Sequence, residues 1–195
     1  MPPQPTANDH HSRLNRAARA GSLEYVNWLL FVAPVAYRET ATETTLNMAA
    51  RSGNLELLQW LMCQCRQTAQ QKPTQKTLVM AARSGSLKLL QWLMQSRSEI
   101  SLHATQATLN AAARAGAIDI MEWILSQKNA TSRIRLRQST FLAACQSGDL
   151  DCMLWIWQQQ NHSDMDQLSI NEQTLEAVMA SQQWRPLQWI LQQQK

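Results

Sequence analysis

Four arginines recur along the chain at almost constant spacing. Arg19, Arg51, Arg83 and Arg114 are separated by 32, 32 and 31 residues, and the next step of 32 reaches Gln146. A guanidinium group carries a fixed positive charge and a planar fork of N–H donors, which fits a carboxylate or a phosphate with two hydrogen bonds. If the spacing reflects a structural repeat, these four side chains, called the arginine row below, form an anion-binding surface.

A second basic cluster lies between two of the repeat units. Arg133, Arg135 and Arg137 alternate with Ile134 and Leu136. This alternation predicts a strand or a hairpin finger that carries its charges on one face. The cluster either joins the arginine row as an anion-binding rim or is a solvated loop without a specific role.

The cysteines and histidines do not form a pattern typical of a metal site. Cys63 and Cys65 are separated by one residue, which is closer than the usual zinc spacing. Cys145 and Cys152 take apolar positions of the repeat described below, so we expect buried thiols that pack as small hydrophobic groups. No acids or cysteines cluster around the four histidines, which are His10, His11, His103 and His162. We therefore expect no metal and no other cofactor.

Composition and charge exclude further classes. Acidic residues are few and spread about one per repeat, and the glycines belong to the repeat instead of a phosphate-binding loop, so we do not expect an enzyme. The net charge is +4 and charged residues make up 16%, a balance too weak for a dedicated nucleic-acid binder. We expect no membrane span, since no apolar run reaches about 18 residues. The first residues do not resemble a signal peptide, and we expect a cytoplasmic protein.

Glycine and tryptophan define the elements that carry these side chains. The five glycines are Gly21, Gly53, Gly85, Gly116 and Gly148. A tryptophan follows each glycine by seven residues, and a sixth continues the series: Trp28, Trp60, Trp92, Trp123, Trp155 and Trp189. The units align on the apolar residue near the start of each repeat: Leu14, Leu46, Leu78, Leu109, Phe141 and Leu175. A period of this length is the signature of a repeat fold.

Each unit predicts two short helices. The first follows a threonine that we expect to be the N-cap, and these threonines are Thr45, Thr77, Thr108, Thr140 and Thr174. It ends at the glycine, which adopts the left-handed conformation without a steric penalty. The second helix carries an apolar face such as Leu57, Leu58 and Leu61. We expect its tryptophan to pack between neighbouring second helices; the alternative is an exposed ladder that binds a partner.

The unit resembles the ankyrin repeat. Leu46–Ala50 reads LNMAA against the family's LHxAA, and Gly53–Met62 reads GNLELLQWLM against GHLEVVxLLL. The family's proline before LH and its Asp-x-x-Gly hairpin turn are missing from every unit, so the helices should be ankyrin-like and the hairpins irregular. Tetratricopeptide repeats have a similar period, but their helices are longer and their Trp and Gly lie elsewhere. The resemblance implies an all-α, ankyrin-like solenoid of stacked helix-turn-helix repeats.

The repeat pattern also predicts the domain organisation. Residues 1–12 are expected to be a disordered lead-in, and residues 13–195 a single domain. Its six units are 13–44, 45–76, 77–107, 108–139, 140–173 and 174–195. The apolar loop 31–37 is predicted to fold back over the N-terminal end or, alternatively, to form a binding patch. The last unit replaces the glycine by Gln182 and ends in polar residues, as expected of a C-terminal cap.

The resemblance implies a protein–protein interaction module without catalysis. Its partner would bind the concave face made by helix ends and loop tips, and the arginine row suggests an acidic partner surface. The candidate partner-binding residues are Arg19, Arg51, Ser52, Arg83, Ser84, Arg114 and Gln146, with Arg133, Arg135 and Arg137 from the second cluster. We expect a monomer. Two alternatives stay open: binding of nucleic acid or another polyanion through the arginine row, and a microbial ankyrin-type effector or adaptor acting in a host cytosol.

Overall fold

The computed structural model describes residues 12–67, 72–95, 102–127, 134–159 and 168–193. The chain divides into two compact units, Met1–Leu102 (unit 1) and His103–Lys195 (unit 2). Each unit holds three helix pairs within the described ranges, and each pair corresponds to one sequence repeat. The first helices of successive pairs pack side by side within a unit.

Unit 1 begins with α1 (Arg13–Arg19) and α2 (Leu23–Asn27), which continues as a π-helix (Trp28–Val32). A 3₁₀ turn (Val35–Tyr37) follows. The second pair is α3 (Glu43–Ser52) and α4 (Leu55–Gln67), and the third is α5 (Gln75–Arg83) and α6 (Leu87–Gln95). Helix α3 packs between α1 and α5.

Unit 2 repeats the arrangement. Its pairs are α7 (Gln106–Arg114) with α8 (Ile118–Ser126), α9 (Gln138–Ser147) with α10 (Leu150–Gln158), and α11 (Glu172–Ser181) with α12 (Trp184–Gln193). Helix α9 packs between α7 and α11. The predicted apolar faces are buried in both units, and the paired alanines allow the first helices to approach closely.

The predicted turns between the helices of a pair are confirmed. All five glycines have φ between 70° and 78°, the left-handed region that costs an L-residue about 1–2 kcal/mol. Gln182 takes the same conformation with φ 57° at the position where the last unit has no glycine. The residue after the glycine caps the second helix in several repeats: Asn54 Oδ1, for example, accepts the Leu57 N–H at 3.0 Å, whereas Ala117 makes no side-chain cap for α8.

The predicted N-caps of the first helices are wrong by three residues. Helix α3 is capped by Thr42, and Thr45 is its third residue. The Thr45 hydroxyl accepts the Thr42 N–H at 3.1 Å and donates to Asn15 Oδ1 at 2.7 Å. A threonine suits the N-cap and the third position of a capping box equally well. Only the buried partner from the preceding repeat shows which role it has.

The same contact recurs where the sequence supplies an asparagine. Thr77 donates to Asn47 Oδ1, and Thr140 donates to Asn110 Oδ1, both at 2.7 Å. These asparagines occupy the position of the family's histidine, the second residue of LHxAA. The polar side chain at this position therefore joins successive repeats inside each unit. The sequence analysis noted the replacement without assigning it this role.

The tryptophans are less buried than predicted. Trp28 is 40% exposed, and the other five register tryptophans are half-buried. They do contact neighbouring repeats: the Trp60 ring meets Phe31 edge-on at 6.0 Å, and Trp189 meets Trp157 at 5.5 Å. On α4, which also carries Trp60, Leu57 is fully buried. The indole lies at the edge of the buried stripe, so one side packs and the other faces solvent.

The loops between repeats differ from the predicted fingers. No residue within the described ranges is in a strand, and Ile134–Arg137, where alternation predicted one, is irregular. Leu136 is fully buried there and anchors the approach to α9. The expected fold-back of loop 31–37 holds for its last residue, since the Arg13 guanidinium lies over the Tyr37 ring at 5.0 Å. Phe31 and Val35 remain exposed.

Candidate partner-binding surface

Stacking of the first helices brings together three arginines of unit 1. Arg19, Arg51 and Arg83 lie at the C-terminal ends of α1, α3 and α5, which pack in that order. The pKa of Arg51 is lowered by partial burial and, to a smaller extent, by the charges of Arg83 and Arg19. The central guanidinium is therefore within electrostatic range of both neighbours.

No carboxylate neutralises these three groups in the described part of unit 1. The ion pair found there joins Arg13 Nε to Glu39 Oε1 at 3.8 Å, near the start of α1 instead of its end. Three like charges at successive helix ends repel one another, and two of them, Arg51 and Arg83, are half-buried. An anion placed among them would be attracted by all three, and each guanidinium could donate two hydrogen bonds to it.

The two serines beside the arginines support the helix ends. Ser52 Oγ donates to the Ala49 carbonyl, and Ser84 Oγ donates to the Ala81 carbonyl, both at 2.7 Å. Ser52 Oγ also accepts the Asn54 N–H at 3.3 Å. Because the hydroxyl proton is already donated, these serines offer a partner only a contact or an acceptor lone pair. Their main effect is to fix the backbone that carries the arginines.

Asn54, the residue directly before α4, is a positioning residue. Its side-chain Nδ2 donates to the Gly21 carbonyl at 3.0 Å, so it joins the turn of its own repeat to the turn of the preceding one. A polar residue with both a donor and an acceptor directly after the glycine is the sequence signal. This bond holds the ends of α1 and α3, and hence Arg19 and Arg51, at a fixed spacing.

Unit 2 places fewer charges at the equivalent helix ends. Arg114 is exposed at the end of α7, Gln146 is exposed near the end of α9, and Ala180 is exposed in α11. The row thus changes from three cations in unit 1 to a single cation followed by neutral side chains in unit 2.

The second basic cluster lies apart from the row within unit 2. Arg137 is the N-cap of α9, whereas Gln146 lies near the other end of the same helix, about 13 Å away at 1.5 Å per residue. Arg135 is exposed on the irregular segment before α9, and Arg133 falls outside the described residues. The structure does not bring Arg135 and Arg137 together with the row position of their own repeat.

The thiols fit a packing role. Cys145 and Cys152 are fully buried, and burial raises the pKa of both to about 12. Cys63 is exposed on α4, and the side chain of Cys65 is outside the described set. Over the described ranges, no three of the His, Cys, Asp and Glu side chains cluster as metal ligands. His103 is exposed, while His10, His11 and His162 fall outside those ranges.

Comparison with known proteins addresses the fold. A family model described as ankyrin repeats (3 copies) matches residues 14–106 and 46–137. The chain belongs to the ankyrin-repeat family. The crystal structure of the human ASB11 ankyrin repeat domain is similar to it with a TM-score of 0.50 and 16% identity, over 93% of this chain and 83% of that one. No curated protein sequence matches the chain.

These matches confirm the all-α, ankyrin-like solenoid class expected from the sequence. Ankyrin repeats are in general protein-interaction modules, and their fold is typically a binding scaffold without catalysis. Among the helices of the described residues, none combines the length and apolar character needed to cross a bilayer.

Proposed function

We propose that this ankyrin-repeat protein binds a carboxylate-rich surface of another protein through the arginines of unit 1. The observation that carries the proposal is the stacking of Arg19, Arg51 and Arg83 at successive helix ends, with none of the described carboxylates in ion-pair range. Arginine suits this role because its fork pairs with carboxylates in a defined orientation. The chemistry is recognition, and no covalent step is involved.

The remaining candidates take supporting roles in this proposal. Ser52 and Ser84 hold the helix ends that present the arginines. In unit 2, Arg114 offers one further cation and Gln146 a neutral hydrogen-bonding group. Arg133, Arg135 and Arg137 belong to a separate loop, and we assign them no part in the contact made by unit 1.

The experiment compares two double variants of the full chain in affinity purification from the native source. Arg51→Glu/Arg83→Glu reverses the proposed surface. The matched control is Lys76→Glu/Lys88→Glu, which changes the net charge equally at exposed positions of the same unit. We expect the arginine variant to lose most of the captured partner, at least about tenfold, and the lysine variant to keep it. Equal recovery by both would contradict the choice of surface.

Polyanion binding is the alternative that the same guanidinium groups permit. Filter binding of duplex DNA at increasing salt separates the two functions. Three phosphate contacts would give a slope of log K against log salt of about −2.7. Tight binding with such a slope, abolished by Arg51→Glu/Arg83→Glu, would favour the polyanion. We expect weak binding that is lost at modest salt.

The adaptor or effector role and the cytoplasmic location stay predictions. A translocation assay with the full chain fused to a reporter tests delivery into a host cell. The outcome of this assay is independent of the affinity purification, since the assay measures delivery into the host cell and the purification measures binding to the partner.

A further inference from the structure

The last repeat exposes side chains whose equivalents are buried in the other repeats. Met179 is 64% exposed, although its position corresponds to Ala18 and Ala50, which are fully buried. Glu176 is exposed at the position of Asn15 and of the other inter-repeat asparagines. This face of α11 is therefore the one that a following repeat would cover.

The first repeat exposes the complementary face. Arg13 precedes Leu14 as Thr45 precedes Leu46, so it occupies the position of the inter-repeat threonines. Arg16 corresponds to Ala111 and Ala143, which are 8% and 2% exposed, but it is exposed itself. This face of α1 is the one that a preceding repeat would cover.

A cleft of about 310 Å³ lies on the same face of α1. It is lined by Arg13, Arg16, Ala17, Ala20, Ser22 and Tyr25. Its floor consists of small apolar side chains, and two cations stand at its edge. A flexible methionine fills irregular apolar gaps of this kind well, and Met179 is exposed on α11.

The register inside each unit specifies how two such faces would meet. An asparagine of one repeat accepts the hydroxyl of the threonine in the next at 2.7 Å, as Asn47 does from Thr77. Continued from one molecule to another, this register sets Glu176 against Arg13. Both side chains are exposed and their charges are opposite. Arg13 lies 3.8 Å from Glu39 and over the Tyr37 ring, so Glu176 would add a second carboxylate beside a side chain that keeps these contacts. Glu172, also exposed, lies one turn before Glu176 on α11.

The second helices follow the same register. Trp157 meets Trp189 of the following repeat with ring centroids 5.5 Å apart. The residue equivalent to Trp157 in the last repeat is Leu191, which is 46% exposed, and the residue equivalent to Trp189 in the first repeat is Trp28, 40% exposed. The same docking geometry therefore places Leu191 against Trp28 and Glu176 against Arg13.

We propose that the protein self-associates head to tail, with the last repeat of one molecule stacking on the first repeat of a second copy. The charges select this arrangement, because two first repeats would bring Arg13 and Arg16 against their own copies. The contact is heterologous, so copies add to one another past a dimer unless the rotation between them closes a ring. This departs from the monomer expected from the sequence. It is independent of the proposed partner surface, since Arg19, Arg51 and Arg83 take no part.

Sedimentation of the full chain at increasing concentration tests the proposal. We expect the average mass to rise past that of a dimer. Glu176→Arg should weaken association about tenfold or more, since it sets like charges opposite each other. Glu122→Arg is the matched control, because it reverses an exposed glutamate of the same unit outside this face, and it should associate like the wild type.

A charge swap gives the most specific result. A chain that carries Glu176→Arg and Arg13→Glu should regain association, because the two faces are complementary again. If Arg13→Glu lowers the melting temperature through its neighbour Glu39, Arg13→Gln with Glu176→Arg replaces it, because the neutral side chain removes the like-charge contact. A monomer at every concentration, or equal behaviour of Glu176→Arg and Glu122→Arg, would each overturn the proposal.

Discussion

In unit 1 the first helices end in Arg19, Arg51 and Arg83, whereas unit 2 has Arg114, Gln146 and Ala180 at these positions. The buried positions hardly differ: leucine or phenylalanine begins each repeat, and alanine or cysteine packs between the first helices. Stacking constrains the side chains that face the next repeat and leaves the helix ends free to vary. The difference teaches that two copies of one scaffold can present a strongly cationic and a nearly neutral surface.

The contacts between repeats differ as well. Unit 1 joins its repeats through Asn15 with Thr45 and through Asn47 with Thr77. Unit 2 has one such bond at Thr140, and its last threonine, Thr174, donates to the carbonyl of its own N-cap, Asn171, at 2.6 Å. The threonine hydroxyl is satisfied in every case described. At Thr108 the hydroxyl instead lies 3.2 Å from the Thr105 hydroxyl. The inter-repeat bond is thus one of three arrangements of the same buried group.

The turn glycines offer the largest expected contrast between the units. A Cβ at Gly148 would lie 2.5 Å from Gln183 Cγ and 3.0 Å from Ser181 Cβ, whereas a Cβ at Gly85 meets nothing within 4 Å. Gly85→Ala should cost about 1–2 kcal/mol from the left-handed backbone alone. Gly148→Ala adds a clash and should cost roughly 3–4 kcal/mol. Urea denaturation of both variants measures the two free energies of unfolding.

Gln182→Gly is the control with the opposite sign. It removes a left-handed L-residue and should stabilise the protein by roughly 0.5–1 kcal/mol, after the greater entropy of glycine in the unfolded chain is subtracted. Equal losses for Gly85→Ala and Gly148→Ala would show that the turn of unit 2 relaxes around the added methyl group.

The inter-repeat hydrogen bond gives the next effect in size. Asn47→Ala leaves the buried Thr77 hydroxyl without this acceptor and should cost about 1–3 kcal/mol. The double variant Asn47→Leu/Thr77→Val removes both polar groups and should recover much of the loss. A double variant as unstable as Asn47→Ala would indicate that packing volume, and not the hydrogen bond, sets the effect.

The buried thiols of unit 2 should make the stability of the protein depend on pH in the alkaline range. We expect this effect to be smaller than those of the glycine and asparagine substitutions. The pKa values of Cys145 and Cys152 are raised from 9.0 to about 12 in the folded chain. Above pH 9 the unfolded chain loses these protons first, so it binds fewer protons than the folded state and stability falls as pH rises. Each thiol should contribute a loss of about 1 kcal/mol by pH 10. The stability it provides is fully present below pH 9.

Cys145→Ala is the matched variant, since alanine fills this position in Ala18 and Ala50. It should fold and should show a shallower loss of stability between pH 9 and pH 10 in urea denaturation. Alkylation at neutral pH should modify the exposed Cys63 in the native chain and reach Cys145 only after unfolding. An unchanged pH profile would exclude Cys145 as a source of the alkaline loss.

Local sequence rules predicted the elements whose cause is local. The glycine after the first helix of five of the six repeats follows from backbone sterics, and all five adopt the left-handed conformation. The threonine N-caps were wrong because Thr45 satisfies two local patterns and its partner, Asn15, lies in another repeat. The strand expected at 134–137 was wrong because its alternation reflects burial of Leu136 beside α9 and not pairing with a neighbouring strand.

Some features of the candidate site were likewise predictable from the sequence, and others depended on the packing of the helices. The recurrence of arginine at one position was visible in the sequence, as was its separation from acids along the chain. That the Arg51 charge lies within range of Arg19 and Arg83, and that Asn54 fixes their spacing, depended on the packing of α1, α3 and α5. The exposure of Met179 and Glu176 could not be predicted from the local sequence. Residues at the equivalent positions, such as Ala18 and Asn15, are buried because another repeat packs on them.

The sequence by itself determined the repeat, its two helices, the turn between them and the residue types at every equivalent position, because these depend on interactions within about 30 residues of chain. Only the tertiary structure decided which equivalent side chains are covered, which threonine partner is used and how far each tryptophan is buried. Burial depends on the neighbouring repeat, and a single repeat carries no information about its neighbour.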